Sequence, residues 1–300
     1  MVYDGVEWVT IYRSTSERSC REHALVLQAA GIAHEVGREA NGFSILVAPA
    51  DEERSRAEVG AYLLENHDWS SVRPAIAQRS NGWTGVLGFA TVLLVVAVLQ
   101  QRHSFGVDWL ETGKTHAGLI RQGQWWRTVT ALSLHADLGH LLANLVIGGL
   151  VGLFSGQSLG SGLAWFGILI AGASGNFVNA WVRSAHHTSV GSSTAVFAAL
   201  GILAANAWRQ RRTLRISSLE RWAPLVGGVL LLGYLGTGGG RTDVAAHVFG
   251  FLCGALLGAV SGRLGDAFTP QAQFLYGLAA VSTLGVAWAL ALVRHAVWRW

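Results

Sequence analysis

Ala245-Ala246-His247-Val248-Phe249-Gly250-Phe251-Leu252-Cys253-Gly254 sets a histidine inside an apolar run that extends over about 244–260. An ionisable side chain in such a run is costly in hydrocarbon and marks a functional position by default. Gly250 and Gly254 follow His247 by three and seven residues, on the same face of a helix. Glycines on that face let a neighbouring helix press close. The stretch reads as one helix of a tightly packed membrane bundle, with an imidazole near its start.

Outward from it lie six more apolar runs, at about 83–99, 138–154, 159–182, 190–208, 222–235 and 273–293. A spanning helix needs roughly 20 mainly apolar residues. Seven spans are expected, of which the fifth, 222–235, is the shortest. The fold class is therefore an all-α polytopic membrane protein. Composition agrees. The chain is 51% hydrophobic and 13% charged over 300 residues, where soluble domains carry about 25% charge. Charge is also uneven: residues 1–80 hold 12 acidic and 8 basic side chains, leaving 6 and 14 for the rest. The basic excess lies in loops between apolar runs, so it gives no footprint for nucleic acid.

Before the first span, residues 1–70 read as a small α+β domain of pattern βαββα. Strands are expected at Val9–Tyr12, Ala33–Val36 and Phe43–Val47, with helices over Glu17–Ala30 and from Asp51 to about Asn66. Asn41-Gly42 is a hairpin turn signal. Residues 71–82 form a linker, 83–262 a six-helix core, and 263–300 an extra C-terminal helix with a tail. Cys20 and Cys253 fall in different parts, so no disulfide is expected, and no Cys/His spacing suggests a metal or cofactor.

Arginines 209, 211, 212, 215 and 221 crowd the loop after the fourth span. The positive-inside rule places that loop in the cytoplasm. The N-terminal domain then lies inside, in keeping with an N-terminus that has no signal-peptide pattern. A bacterial inner membrane is the expected location. The segment 100–137 lies outside, and the second, fourth and sixth spans all run inward.

That topology places four polar residues at one depth near the outer face: His140 and Asn144 in the second span, Ser193 in the fourth and His247 in the sixth. A serine hydroxyl becomes a nucleophile when a base takes its proton, and His247 is the base at matching depth. Ser193 also starts a helix, where the dipole favours developing negative charge. Gly191, Ala195 and Ala199 form a small-residue stripe, and Phe197 lies one turn on, able to pack against the imidazole. His140 and Asn144 share a helix face and could serve, with a backbone N–H near Ser193, as donors to an oxyanion. No Asp or Glu sits in a span at this depth, so the reading is a Ser–His dyad. His116, His186 and His187 read as solvated loop residues.

These residues also carry a family resemblance. Trp126-Arg127 looks like the WR motif of rhomboid proteases, and His135-Ala-Asp-Leu-Gly-His140-Leu-Leu-Ala-Asn144 resembles their HxxxxHxxxN pattern. Gly191-Ser192-Ser193-Thr194 resembles GxSG, and Ala245-Ala246-His247 through Gly250 and Gly254 resembles AHxxGxxxG. The motifs run in family order over about 83–262. The resemblance implies a six-helix core with a seventh C-terminal helix. It also implies a serine endopeptidase that cuts transmembrane substrate helices near their outer edge, with the bilayer as its setting. The site it implies is catalytic Ser193 and His247, oxyanion-stabilising His140 and Asn144, and supporting Gly191, Phe197, Gly250, Gly254, Trp126 and Arg127. Thr194 departs from the motif, because the family has glycine there and threonine is larger.

Gly172-Ala173-Ser174-Gly175 matches GxSG letter for letter. It lies deep in a span of opposite direction, so a packing role is expected instead. Two alternatives to a protease remain: a weak or inactive rhomboid-like scaffold that binds transmembrane helices, and a small transporter. A transporter would show paired intramembrane charges and internal repeats, and neither is present in the sequence.

Overall fold

The computed structural model describes residues 2–3, 6–39, 41–66, 80, 82–211, 217–236, 243–261 and 269–297. It divides into two compact units, residues 1–75 and 76–300. Most of the expected linker, together with Arg212 and Arg215, lies outside the described residues.

In the first unit, β1 (Val2–Tyr3) pairs with β2 (Val6–Glu7). β3 (Val9–Ser14), α1 (Glu17–Ala29), β4 (His34–Glu39), β5 (Gly42–Val47) and α2 (Glu52–Glu65) follow. The antiparallel sheet has the order β3-β5-β4. Glu39 pairs with Gly42 where the hairpin closes. Ser16 caps α1 by accepting from the Ser19 N–H. The periodic apolar face of α1 (Cys20, Ala24, Leu27) packs on Ile45 and Val47 of the central strand. Cys20 is fully buried there as a small hydrophobic residue.

The second unit opens with α3 (Trp83–Gln101). A connecting segment then carries α4 (Trp109–Gly113), β6 (Thr115–His116), α5 (Ala117–Arg121) and α6 (Arg127–Thr130). Six more elements follow: α7 (Leu138–Leu159), α8 (Ser161–Val182), β7 (Thr188–Ser189), α9 (Ser193–Arg211), α10 (Ser218–Gly236) and α11 (Val244–Val260). The last helix is α12 (Pro270–Val297). The seven long helices coincide with the seven apolar runs. By length and composition, α3, α7, α8 and α12 are the four described helices able to cross a membrane. α11 has 17 residues, and α9 ends on Arg209 and Arg211 with much of its surface buried by neighbours. Helices shielded from lipid by other helices have less need of length or an apolar exterior.

The centre of this unit is the crossing of α9 and α11. A Cβ built on Gly250 would stand 2.3 Å from the Thr194 carbonyl oxygen, one on Gly254 2.0 Å from that of Ala198, and one on Gly258 2.4 Å from that of Ile202. The approach is reciprocal, because a Cβ on Gly201 would lie 2.1 Å from the Phe251 carbonyl oxygen. Glycines four apart on one helix thus meet carbonyls four apart on the other, backbone to backbone.

A second tie joins α8 and α11 at the end of the bundle where α9 begins. Asp243 caps α11 by accepting from the Ala246 N–H at 3.3 Å. Its carboxylate also accepts from Asn179 Nδ2 at 2.6 Å, Arg183 Nη2 at 2.9 Å and His187 Nε2 at 2.6 Å. His187 is therefore half-buried and bonded, not the solvated loop residue expected from sequence. Burial pushes the Asp243 carboxyl up, but the bonds from Arg183, His187 and Asn179 outweigh it and hold the group below its ordinary 3.8.

Two outcomes follow in detergent-solubilised protein. Gly254→Ala should destabilise by at least about 1–3 kcal/mol, the usual cost of overpacking. Gly277→Ala, in open space on α12, should cost almost nothing; thermal unfolding measures both. Because the folded Asp243 carboxyl binds its proton less readily than the unfolded one, its contribution is whole above pH 3.8 and is lost as pH falls through the lower folded value. Melting temperature should therefore fall in that acid window, and less so in Asp243→Asn, which starts lower at neutral pH.

Candidate active site

Ser193 is the first residue of α9 and is half-buried. The turn that delivers it is held by the segment before α7. The Gly191 N–H donates to the Ala131 carbonyl at 3.0 Å. The His135 Nε2 lies 3.2 Å from Ser192 Oγ and 3.5 Å from the Ser192 nitrogen. Burial, with a smaller push from His140, lowers the His135 imidazole to about 4, against a weaker opposing effect of Asp137. It is neutral at pH 7, which suits a ring nitrogen accepting from the Ser192 N–H. Gly191 has φ +129°, a region that favours glycine. A Cβ there would lie 2.5 Å from His140 Cε1, so the His140 ring sits directly over the Gly191 backbone.

His247 lies one turn into α11 and is 6% exposed. Its Nε2 is 2.8 Å from Ser193 Oγ. The ring packs on Phe197, with centroids 4.4 Å apart at 35°. With its proton on Nδ1, the imidazole presents Nε2 to the hydroxyl proton, as proton abstraction requires. The α9–α11 glycine crossing sets this distance, since Thr194 and Gly250 touch one residue beyond Ser193 and three beyond His247.

His140 is placed by the cap of α7, where Asp137 Oδ1 accepts from the His140 N–H at 2.8 Å. Asn144, one turn on, is buried and donates Nδ2 to the His140 carbonyl at 2.9 Å. That bond takes one of the two amide protons. His140, Asn144, Gly191, Ser193, Phe197 and His247 line one cavity of about 750 Å³. Its rim carries Lys114, Asp137, Arg183, His187 and Asp243. Among the described residues, no three His, Cys, Asp or Glu side chains gather as a metal site.

Thr194 fits without displacing a helix. Its Cγ2 would stand 3.0 Å from a Cβ on either Gly175 or Gly250, so the methyl occupies space that these glycines leave. Gly175 belongs to the second GxSG sequence. Its companion Gly172 lies against Ala195, where a Cβ would be 2.9 Å from the Ala195 Cα. Gly172 thus packs α8 on α9, and Gly175, where a Cβ would stand 2.7 Å from the Gly250 nitrogen, packs it chiefly on α11. Arg127 braces the connecting segment, donating to the carbonyls of Lys114 at 2.9 Å and Glu111 at 3.1 Å and to Gln124 Oε1 at 2.7 Å. Trp126 is half-buried against the core, while Trp125 is exposed.

Sequence reading did not single out Asp243 and took His187 for a solvated loop residue. Asp243 stands immediately before α11, where its capping role was open to a sequence-based reading. Its partners 56 to 64 residues away were not.

Residues 122–264 match the Rhomboid domain. The match contains all four motifs, begins later than the expected core of 83–262 and leaves α3 and α12 outside. The chain is 31% identical over 150 residues to Rhomboid-like protease 1 of Toxoplasma gondii, covering 49% of this chain and 50% of that protein. It is 36% identical over 91 residues to Rhomboid protease GluP of Bacillus subtilis, covering 30% and 18%. It is 28% identical over 152 residues to RHOMBOID-like protein 5 of Arabidopsis thaliana, covering 49% and 48%. The chain thus spans half or less of the length of these relatives. With the apolar helices and the motifs in order, these similarities show a membrane protein that carries a Rhomboid domain over residues 122–264.

Proposed function

We propose that this protein is an intramembrane serine endopeptidase that cleaves transmembrane segments near the outer membrane face. The observation that carries the reading is the 2.8 Å contact of Ser193 Oγ with His247 Nε2 inside a polar-rimmed cavity. In this reading His247 takes the Ser193 proton as the hydroxyl attacks the scissile carbonyl, and later returns it to the leaving amine. The His140 ring, the second Asn144 amide proton and the backbone N–H at the start of α9 stabilise the oxyanion, aided by the helix dipole. Support comes from the named proteases among the relatives. The room that Gly175 and Gly250 leave for the Thr194 methyl supports this reading over an inactive scaffold.

The test is cleavage of a labelled single-span substrate by purified protein. Ser193→Ala should lose at least about 10³-fold in turnover, while Ser174→Ala stays near wild type. Removing a donor, in His140→Ala or Asn144→Ala, should lower kcat by about 10²-fold or more. Wild type that neither cuts several substrates nor reacts with a fluorophosphonate probe would leave the helix-binding scaffold as the reading.

A further inference from the structure

α12 lies beyond the matched domain, and most of it faces outward: Phe274, Leu275, Leu278, Val281, Val286 and Val293 are exposed. The turn at Trp288 departs from this pattern. Trp288 is 8% exposed between fully packed Ala287 and Ala291. Its Nε1 donates to Ser133 Oγ at 3.1 Å, a buried bond. Its ring lies 4.9 Å from that of Trp109 and covers Gly113, where a Cβ would stand 2.5 Å from Trp288 Cη2.

Ser133 passes the contact on. Its hydroxyl donates to the Thr130 carbonyl at 2.8 Å, and Thr130 Oγ1 donates to the Gly113 carbonyl at 2.6 Å. Ser133 also sits between Ala131 and His135, the two residues that bond Gly191 and Ser192. Trp288 therefore stands behind the wall that holds the turn before Ser193. A helix that served only as a lipid anchor would need no buried donor aimed at this wall.

We propose that Trp288 is a positioning residue: it makes α12 a strut that fixes segment 131–135, and through it Gly191 and Ser192, where Ser193 meets His247. The catalytic consequence rests on the protease reading above; the structural link does not.

The experiment compares Trp288→Phe, which keeps an aromatic ring but removes the N–H and the ring edge over Gly113, with Gln273→Leu at the other end of α12. Gln273 accepts from the Leu163 N–H at 3.0 Å and donates to the Leu159 carbonyl at 3.1 Å, far from the wall. Melting temperature, kcat, KM and fluorophosphonate labelling rate are measured in the full chain. Trp288→Phe should lower kcat and labelling about 10-fold, as small misplacement of a reacting group does, with KM within about twofold. Gln273→Leu should keep kcat even where it loses as much melting temperature. Equal kcat in Trp288→Phe and wild type, or equal kcat losses in the two variants, overturns the proposal. Hydrogen exchange of the Gly191 and Ser192 amides reports on the strut without turnover. Faster exchange in Trp288→Phe supports it even if wild type proves inactive, and unchanged exchange rejects it.

Discussion

Everything at the centre of this molecule depends on two backbones touching. In lipid the hydrophobic effect does not draw helices together, so close van der Waals contact has to do so. Gly250, Gly254 and Gly258 present bare backbone to the carbonyls of Thr194, Ala198 and Ile202. The same register that maximises this contact brings the start of α9 beside the first turns of α11. Packing and chemistry therefore share one geometric requirement: a side chain that spreads the crossing also pulls Ser193 from His247.

Around that crossing, polar groups compensate for what the helices cannot supply. The turn 191–192 has no neighbour in a regular ladder, so Ala131 and His135 satisfy it. The start of α11 is capped by Asp243, which also gathers the donors of α8 and the loop beyond it. Buried polar groups of this kind are costly unless every partner is in place. Polar ties hold the opposite end as well, where Gln273 bonds Leu163 and Leu159 and Asn206 Nδ2 donates to Ser158 Oγ.

Much of this was legible in the sequence because its periodicity was strong. Apolar runs predicted all seven long helices, and the spacing of His247, Gly250 and Gly254 predicted both the packed face and the imidazole on it. The N-terminal pattern was equally readable, since Asn41-Gly42 marks the hairpin where Glu39 pairs with Gly42. Partnerships across long separations were not readable. Nothing local to His187 shows that a carboxylate 56 residues later will meet it. Nothing local to Trp288 points to Ser133, 155 residues earlier. Thr194 looked like a defect when read alone, but Gly175 leaves room for its methyl from a different helix.

The cavity has a consequence for solvent. Hydrolysis consumes water, and hydrocarbon holds almost none. A space of about 750 Å³ rimmed by Lys114, Asp137, Arg183, His187 and Asp243 offers the two to four polar partners that a stable water site needs. On the protease reading proposed above, this charged rim offers water sites beside Ser193, so that the supply of the second reactant is part of the fold.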